Sequence, residues 1–62
     1  METVIDTVEA CTLEIGDITA TGTIVMIIEF DGYIVALFED EESKTYDDFE
    51  LVDIYGMVYA DV

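Results

Sequence analysis

The chain has 62 residues, sixteen of them Asp or Glu against a single basic residue, Lys44, for a formal net charge of −15. Such a length allows one domain, residues 1–62, with a small core, because a short chain buries a smaller share of its surface on folding. A 53% hydrophobic content excludes an acidic disordered tail, and the charge excludes a direct grip on nucleic-acid phosphates.

Cys11 stands alone and there is no histidine, so neither an internal disulfide nor a zinc or iron–sulfur cluster is expected, and no cofactor is called for. No apolar run is long enough to span a bilayer, and "METVIDTVEA" is acidic where a signal peptide begins with base. A cytoplasmic protein without membrane contact is the expectation.

With Ile, Val, Thr and Tyr dominant between four glycines and no proline, the chain predicts strands throughout. "VEACTLEI", Val8 to Ile15, alternates roughly and reads as the first strand, closed by a turn at Gly16 and Asp17. "ITATGTIVMIIEF" is the longest strand region, with a bulge or bend expected at Gly22. Asp31 and Gly32 form the strongest hairpin signal, because two-residue turns need positive φ. "YIVALFED" returns as the partner strand, "EES" turns, "KTY" is a short strand, and "DDFE" is at most one helical turn. "LVDIYGMVYADV" is the last strand, broken at Gly56. The predicted fold class is all-β.

"IGDI" at the first turn, "GTIV" opening a long strand, "DGYIVALFED" as hairpin and return, "KTY", and "FELV" together resemble the small SH3-like barrels of the Tudor, chromo-barrel and KOW type, over Ile15 to Ile54. The resemblance implies about five antiparallel strands with at most one short helical turn. Two departures stand out: such barrels often place Gly where Glu41 closes the "FED" turn, and the chain carries residues at both ends that can form one more strand pair.

Apolar residues occupy both parities of the central hairpin: Ile24, Met26 and Ile28 against Val25 and Ile27, then Ile34, Ala36 and Phe38 against Tyr33, Val35 and Leu37. A half-exposed strand would alternate, so either the terminal segments cover the outer face or that face meets another chain, including a second copy as a homodimer.

Catalysis is not expected, because the carboxylates lack any His, Arg or Ser constellation. No glycine-rich loop leads into a helix to cradle phosphate. "EDEES" and "DD" lack the ligand spacing of a calcium loop, so no metal site is expected. The Tudor resemblance implies a methyl-lysine or methyl-arginine cage from Phe30, Tyr33, Phe38 and Tyr46, with Glu29, Asp31 and Asp40 facing the cation. Strand aromatics more commonly serve packing.

The charge itself requires an explanation, since a net charge of roughly 2 to 8 is more usual for a small domain. Solubility and protected edges account for some carboxylates. A halophile surface would account for more, but the chain has eight isoleucines and no arginine. A compact chain of this length would be about 27 Å across, giving about one charge per 1.8 Å, close to the roughly 1.7 Å of duplex DNA.

The resulting expectation is a non-enzymatic inhibitor whose carboxylates stand in for phosphates in the groove of a basic nucleic-acid-binding protein. Its contact set is Glu29, Asp31, Glu39, Asp40, Glu41, Glu42, Asp47, Asp48, Glu50 and Asp53, with Glu39 and Glu41, and Asp40 and Glu42, in rows along a strand about 6.6 Å apart. In charge and size this is similar to small phage-encoded DNA mimics that block nucleases, restriction enzymes, CRISPR effectors, repair glycosylases or nucleoid proteins. The alternative is an adaptor docking through its apolar hairpin face, with Ile27 and Val25 as contacts.

Overall fold

The computed structural model describes residues 2–57 as five antiparallel strands and one 3-10 turn. Strand β1 is Glu2–Glu9, β2 Ile24–Glu29, β3 Tyr33–Phe38, β4 Ser43–Asp47 and β5 Leu51–Met57, with the 3-10 turn at Ala10–Thr12. β2, β3 and β4 form a three-stranded meander, and β1 pairs with β5 in a separate two-stranded sheet. The all-β expectation therefore holds, and the extra strand pair that the sequence left open is formed by Glu2–Glu9 with Leu51–Met57.

The meander is organised by one strand with clean alternation. On β3, Ile34, Ala36 and Phe38 are buried, whereas Tyr33, Val35 and Leu37 turn the other way. Ile34, Ala36 and Phe38 join Ala10, Leu13, Ile24, Tyr46, Val52 and Ile54 in the core, with Val8 and Ile27 packed against it. Because this core is so small, a fully buried side chain such as Ile24, worth about 1.5–3 kcal/mol, is a large part of the total.

Asp31 and Gly32 do form the β2–β3 turn: the Phe30 N–H donates to the Tyr33 carbonyl at 2.9 Å, and only Gly32 of the pair takes a positive φ, +88°. The preceding region is not one strand. Ile18 bridges to Thr23, and between them the chain reverses tightly, the Thr19 N–H donating to the Gly22 carbonyl at 2.8 Å. The buried Thr19 hydroxyl accepts from the Thr21 N–H and donates to the Gly22 carbonyl, each at 3.1 Å. Gly22, at φ +147°, thus belongs to a turn rather than to a strand bulge.

The strand expected from Val8 to Ile15 is also corrected. β1 ends at Glu9, and the chain winds into the 3-10 turn because Ala10 and Leu13, three residues apart, both enter the core. The turn is anchored by the Ala10 N–H on the Glu50 carbonyl (2.8 Å) and the Cys11 N–H on the Asp48 carbonyl (2.9 Å). Helical geometry therefore appears here and not at "DDFE", which is a tight turn closed by the Glu50 N–H on the Asp47 carbonyl at 3.0 Å.

Gly56 does not break β5. Thr3 lies opposite it, and the register slips between Val4 and Asp6, leaving Ile5 as the extra residue. A side chain at position 56 would place its Cβ 2.8 Å from Ile5 Cδ1, so glycine leaves room for Ile5 within a continuous strand. The expected continuation of the last strand through 58–62 lies outside the described residues.

The molecule is longer than the sphere assumed from chain length. Its radius of gyration is 12.3 Å and its principal extents are 47 × 23 × 13 Å, against about 10.5 Å expected for a compact chain of this size. The two sheets are joined through the core, and β5 also meets the segment that precedes β2, the Tyr55 N–H donating to the Ile18 carbonyl at 2.7 Å. Among the described residues no helix is long and apolar enough to cross a membrane.

Candidate functional site

Cross-strand partners share a face, so the register fixes what surrounds each carboxylate. Outward from the meander point Tyr33, Val35 and Leu37 of β3. Their neighbours are Ile28 and Met26 on β2, opposite Val35 and Leu37, and Asp47, Thr45 and Ser43 on β4. Phe30, beside Tyr33, extends this row. The two rings stack with centroids 4.8 Å apart and planes 10° from parallel.

This face is open along β2 and at the hairpin end, whereas Val35 and Leu37 at its centre are half-buried. Met26 is 50% exposed, Phe30 46%, Ile28 41% and Tyr33 39%. β1 and β5 pair with each other, and their residues Val8, Val52 and Ile54 pack with the core on the meander's inner side, so neither strand accounts for the apolar outer parity.

A bulge in β2 decides which residues reach the surface. The register shifts between Ile24 and Met26, so Ile24 faces Phe38 inward, and Ile27, opposite the buried Ala36, also turns inward. Met26 and Ile28 turn out. Ile27 is therefore a core-packing residue and not an adaptor contact, while Val25 is exposed at the bulge.

Carboxylates gather at the two ends of this face. At the hairpin end lie Asp31 in the turn and Asp47 opposite Tyr33, with Asp48 joined by its N–H to the Gly32 carbonyl at 3.2 Å, whereas Glu29, opposite the buried Ile34, takes the inward parity. Glu50 follows in the same turn, beside the exposed Phe49. At the other end Glu39, Asp40, Glu41 and Glu42 form the β3–β4 turn, docked by the Glu39 N–H on the Thr23 carbonyl at 3.0 Å. Tyr33 and Leu37 mark the two ends, four strand residues or about 13 Å apart.

The expected rows of Glu39 with Glu41 and of Asp40 with Glu42 along a strand do not exist. All four belong to the turn, in which the Phe38 N–H donates to the Glu42 carbonyl at 2.8 Å and Glu41 adopts φ +70°. Asp53 lies apart from both groups, on the outward side of β5, where its Oδ1 accepts the Thr7 hydroxyl at 2.8 Å. Asp40 and Glu50 also serve the fold, each carboxylate accepting a backbone N–H at 3.3 Å, from Glu42 and Asp47 respectively.

Lys44 sits opposite Ala36, hence on the inward side of β4, with its ammonium 5.2 Å from the Tyr46 ring centroid. The apolar outer face is bounded by anions and is not shared with the chain's one lysine. The aromatic cage does not assemble. Phe38 and Tyr46 are core residues, 2% and 3% exposed, whereas Phe30 and Tyr33 lie on the opposite side of the sheet. Asp40 is at the far end from Glu29 and Asp31.

Over the 47 Å long axis, fifteen net charges amount to about one per 3 Å, nearer the roughly 3.4 Å spacing of one DNA strand than the duplex value. Sequence reasoning found most of the carboxylates that border the face and missed Met26 and Phe49 as part of the surface. The apolar outer parity was visible, but the bulge that selects Met26 over Ile27 carries no glycine to announce it. Compared with protein-family models, with curated proteins and with solved structures, the chain matches none.

Proposed function

We propose that the chain is a non-catalytic, polyanionic inhibitor that occupies the nucleic-acid groove of a basic protein. The observation carrying this reading is the placement of two sets of carboxylates at opposite ends of an exposed sheet face, with the chain's one lysine on the other side of the sheet. The open face spans about 13 Å of strand from Tyr33 to Leu37, and the carboxylates of Asp31 and of Glu39 to Glu42 lie in the turns beyond its two ends. A cationic surface built to engage phosphates would meet carboxylates at both ends of this face. Because the β-scaffold fixes them in advance, binding avoids much of the ordering cost of a flexible acidic tail, and opposite potentials accelerate encounter.

An SH3-like barrel is the finer fold reading that fits this role, supported by a three-stranded meander joined to a pair made from the first and last strands. The adaptor reading keeps one specific support, the exposed Met26, Ile28, Phe30 and Tyr33.

The experiment is retention of basic proteins from a cell lysate on the immobilised chain, followed by competition. Duplex DNA should displace a true occupant of the groove. Replacing Glu39, Glu41 and Glu42 with Gln should weaken retention at least tenfold, whereas an adaptor would keep its partner through that change and would be indifferent to DNA.

A further inference from the structure

We infer that the outer face of the meander is itself a docking surface, and that its occupant is a foreign protein segment with an apolar centre bordered by Lys or Arg, not a second copy of this chain. This rests on the basic-partner reading and assigns where the specific contact is made. Three strands about 4.8 Å apart, over about 13 Å of their length, present on the order of 200 Å² of sheet face. A stable interface takes about 800 Å² from each partner. The contact must therefore spread beyond Met26, Ile28, Val35 and Leu37 onto the borders, where Asp31, Asp47 and Asp48 stand at one end and Glu39 to Glu42 at the other.

Two copies stacked face to face would oppose these borders to each other, and each copy carries a net charge of −15. Like charges so juxtaposed cost several kcal/mol. A partner with cations around an apolar centre meets the same geometry favourably, and its apolar residues supply an attraction that salt does not screen. The exposed Phe30–Tyr33 stack adds a flat surface on which a guanidinium can lie, next to Asp47.

The test uses the whole chain and two synthetic peptides of equal charge, each with three lysines on either side of a four-residue centre, Leu-Phe-Leu-Phe in one and Ser-Ser-Ser-Ser in the other. At 0.15 M salt the apolar-centred peptide should bind at least tenfold tighter and shift the amide resonances of Met26, Ile28, Tyr33 and Val35. The double variant Met26→Ser with Ile28→Thr, both outward-facing, should abolish that preference, keep the strand content of the native chain, and leave the serine-centred affinity unchanged. Equal affinities, with resonance shifts only at the acidic ends, would overturn the inference and leave the basic-partner reading standing. Binding of neither peptide would sink both. A dimer in sedimentation at 0.15 M salt, lost in the double variant, would also overturn it by naming a second copy as the occupant.

Discussion

Glu41 is the one described non-glycine residue with positive φ, +70°, and replacing it with glycine should stabilise the domain. Left-handed geometry costs an L-residue about 1–2 kcal/mol, because its Cβ crowds the following carbonyl. Glycine removes that cost but returns about 0.4–1 kcal/mol through its greater freedom in the unfolded chain. The turn's hydrogen bonds, Phe38 N–H to the Glu42 carbonyl and Glu41 N–H to the Phe38 carbonyl, use backbone only and survive the change. The net gain is about 0.5–1 kcal/mol, or a rise in Tm of about 2–8 °C for so small a domain. Loss of one carboxylate beside Glu39, Asp40 and Glu42 also relieves repulsion, so Glu41→Gln serves as the control for charge alone. Urea melts followed by circular dichroism measure all three proteins. Glu41→Gly should exceed Glu41→Gln by at least 0.5 kcal/mol; equal stabilities would refute the backbone argument and leave only electrostatics.

Adjacent isoleucines should behave oppositely: Ile27→Thr, at a core-packing position, should lower stability by about 1–2 kcal/mol, whereas Ile28→Thr should change it by less than about 0.5 kcal/mol, both read from urea midpoints. Ile24→Ala empties a fully buried site at a cost of about 2–5 kcal/mol, enough to leave the domain largely unfolded at 25 °C by circular dichroism. Raising salt from 0.01 to 0.15 M shortens the screening length from about 30 to 8 Å, so Tm should rise while the domain remains folded at the lower value. A chain unfolded at 0.01 M salt would instead favour the halophile explanation of its acidity. Cys11, exposed in the 3-10 turn, should react with a thiol reagent in the native state as fast as in urea, within about tenfold.

Strand content and the central hairpin were legible because their signals are local. Asp31–Gly32 is flanked by long β-branched runs, and β3 alternates cleanly about Ile34, Ala36 and Phe38. The 3-10 turn was not legible, since the core that takes up Ala10 and Leu13 and the Glu50 and Asp48 carbonyls that anchor its N–H groups come from residues distant in sequence. Glu41 was half legible. Its departure from the glycine often found at this turn in the barrels that the sequence resembles points to a strained turn, but the surrounding run of acids reads as solvated surface. The faces of β2 were misassigned because a bulge shifts parity by one residue and leaves no compositional trace. As for the site, charge was visible in the composition, whereas its division between two ends of one sheet face depends on which strands pair.

The measurement that bears most directly on the account is the salt dependence of affinity for the retained basic partner, taken with and without competing duplex DNA. Mimicry of phosphates requires affinity that falls linearly in log–log form with salt, by about tenfold or more between 0.05 and 0.2 M, and mutual exclusion with DNA. A complex that forms equally well at both salt concentrations and accepts DNA alongside the chain would contradict it.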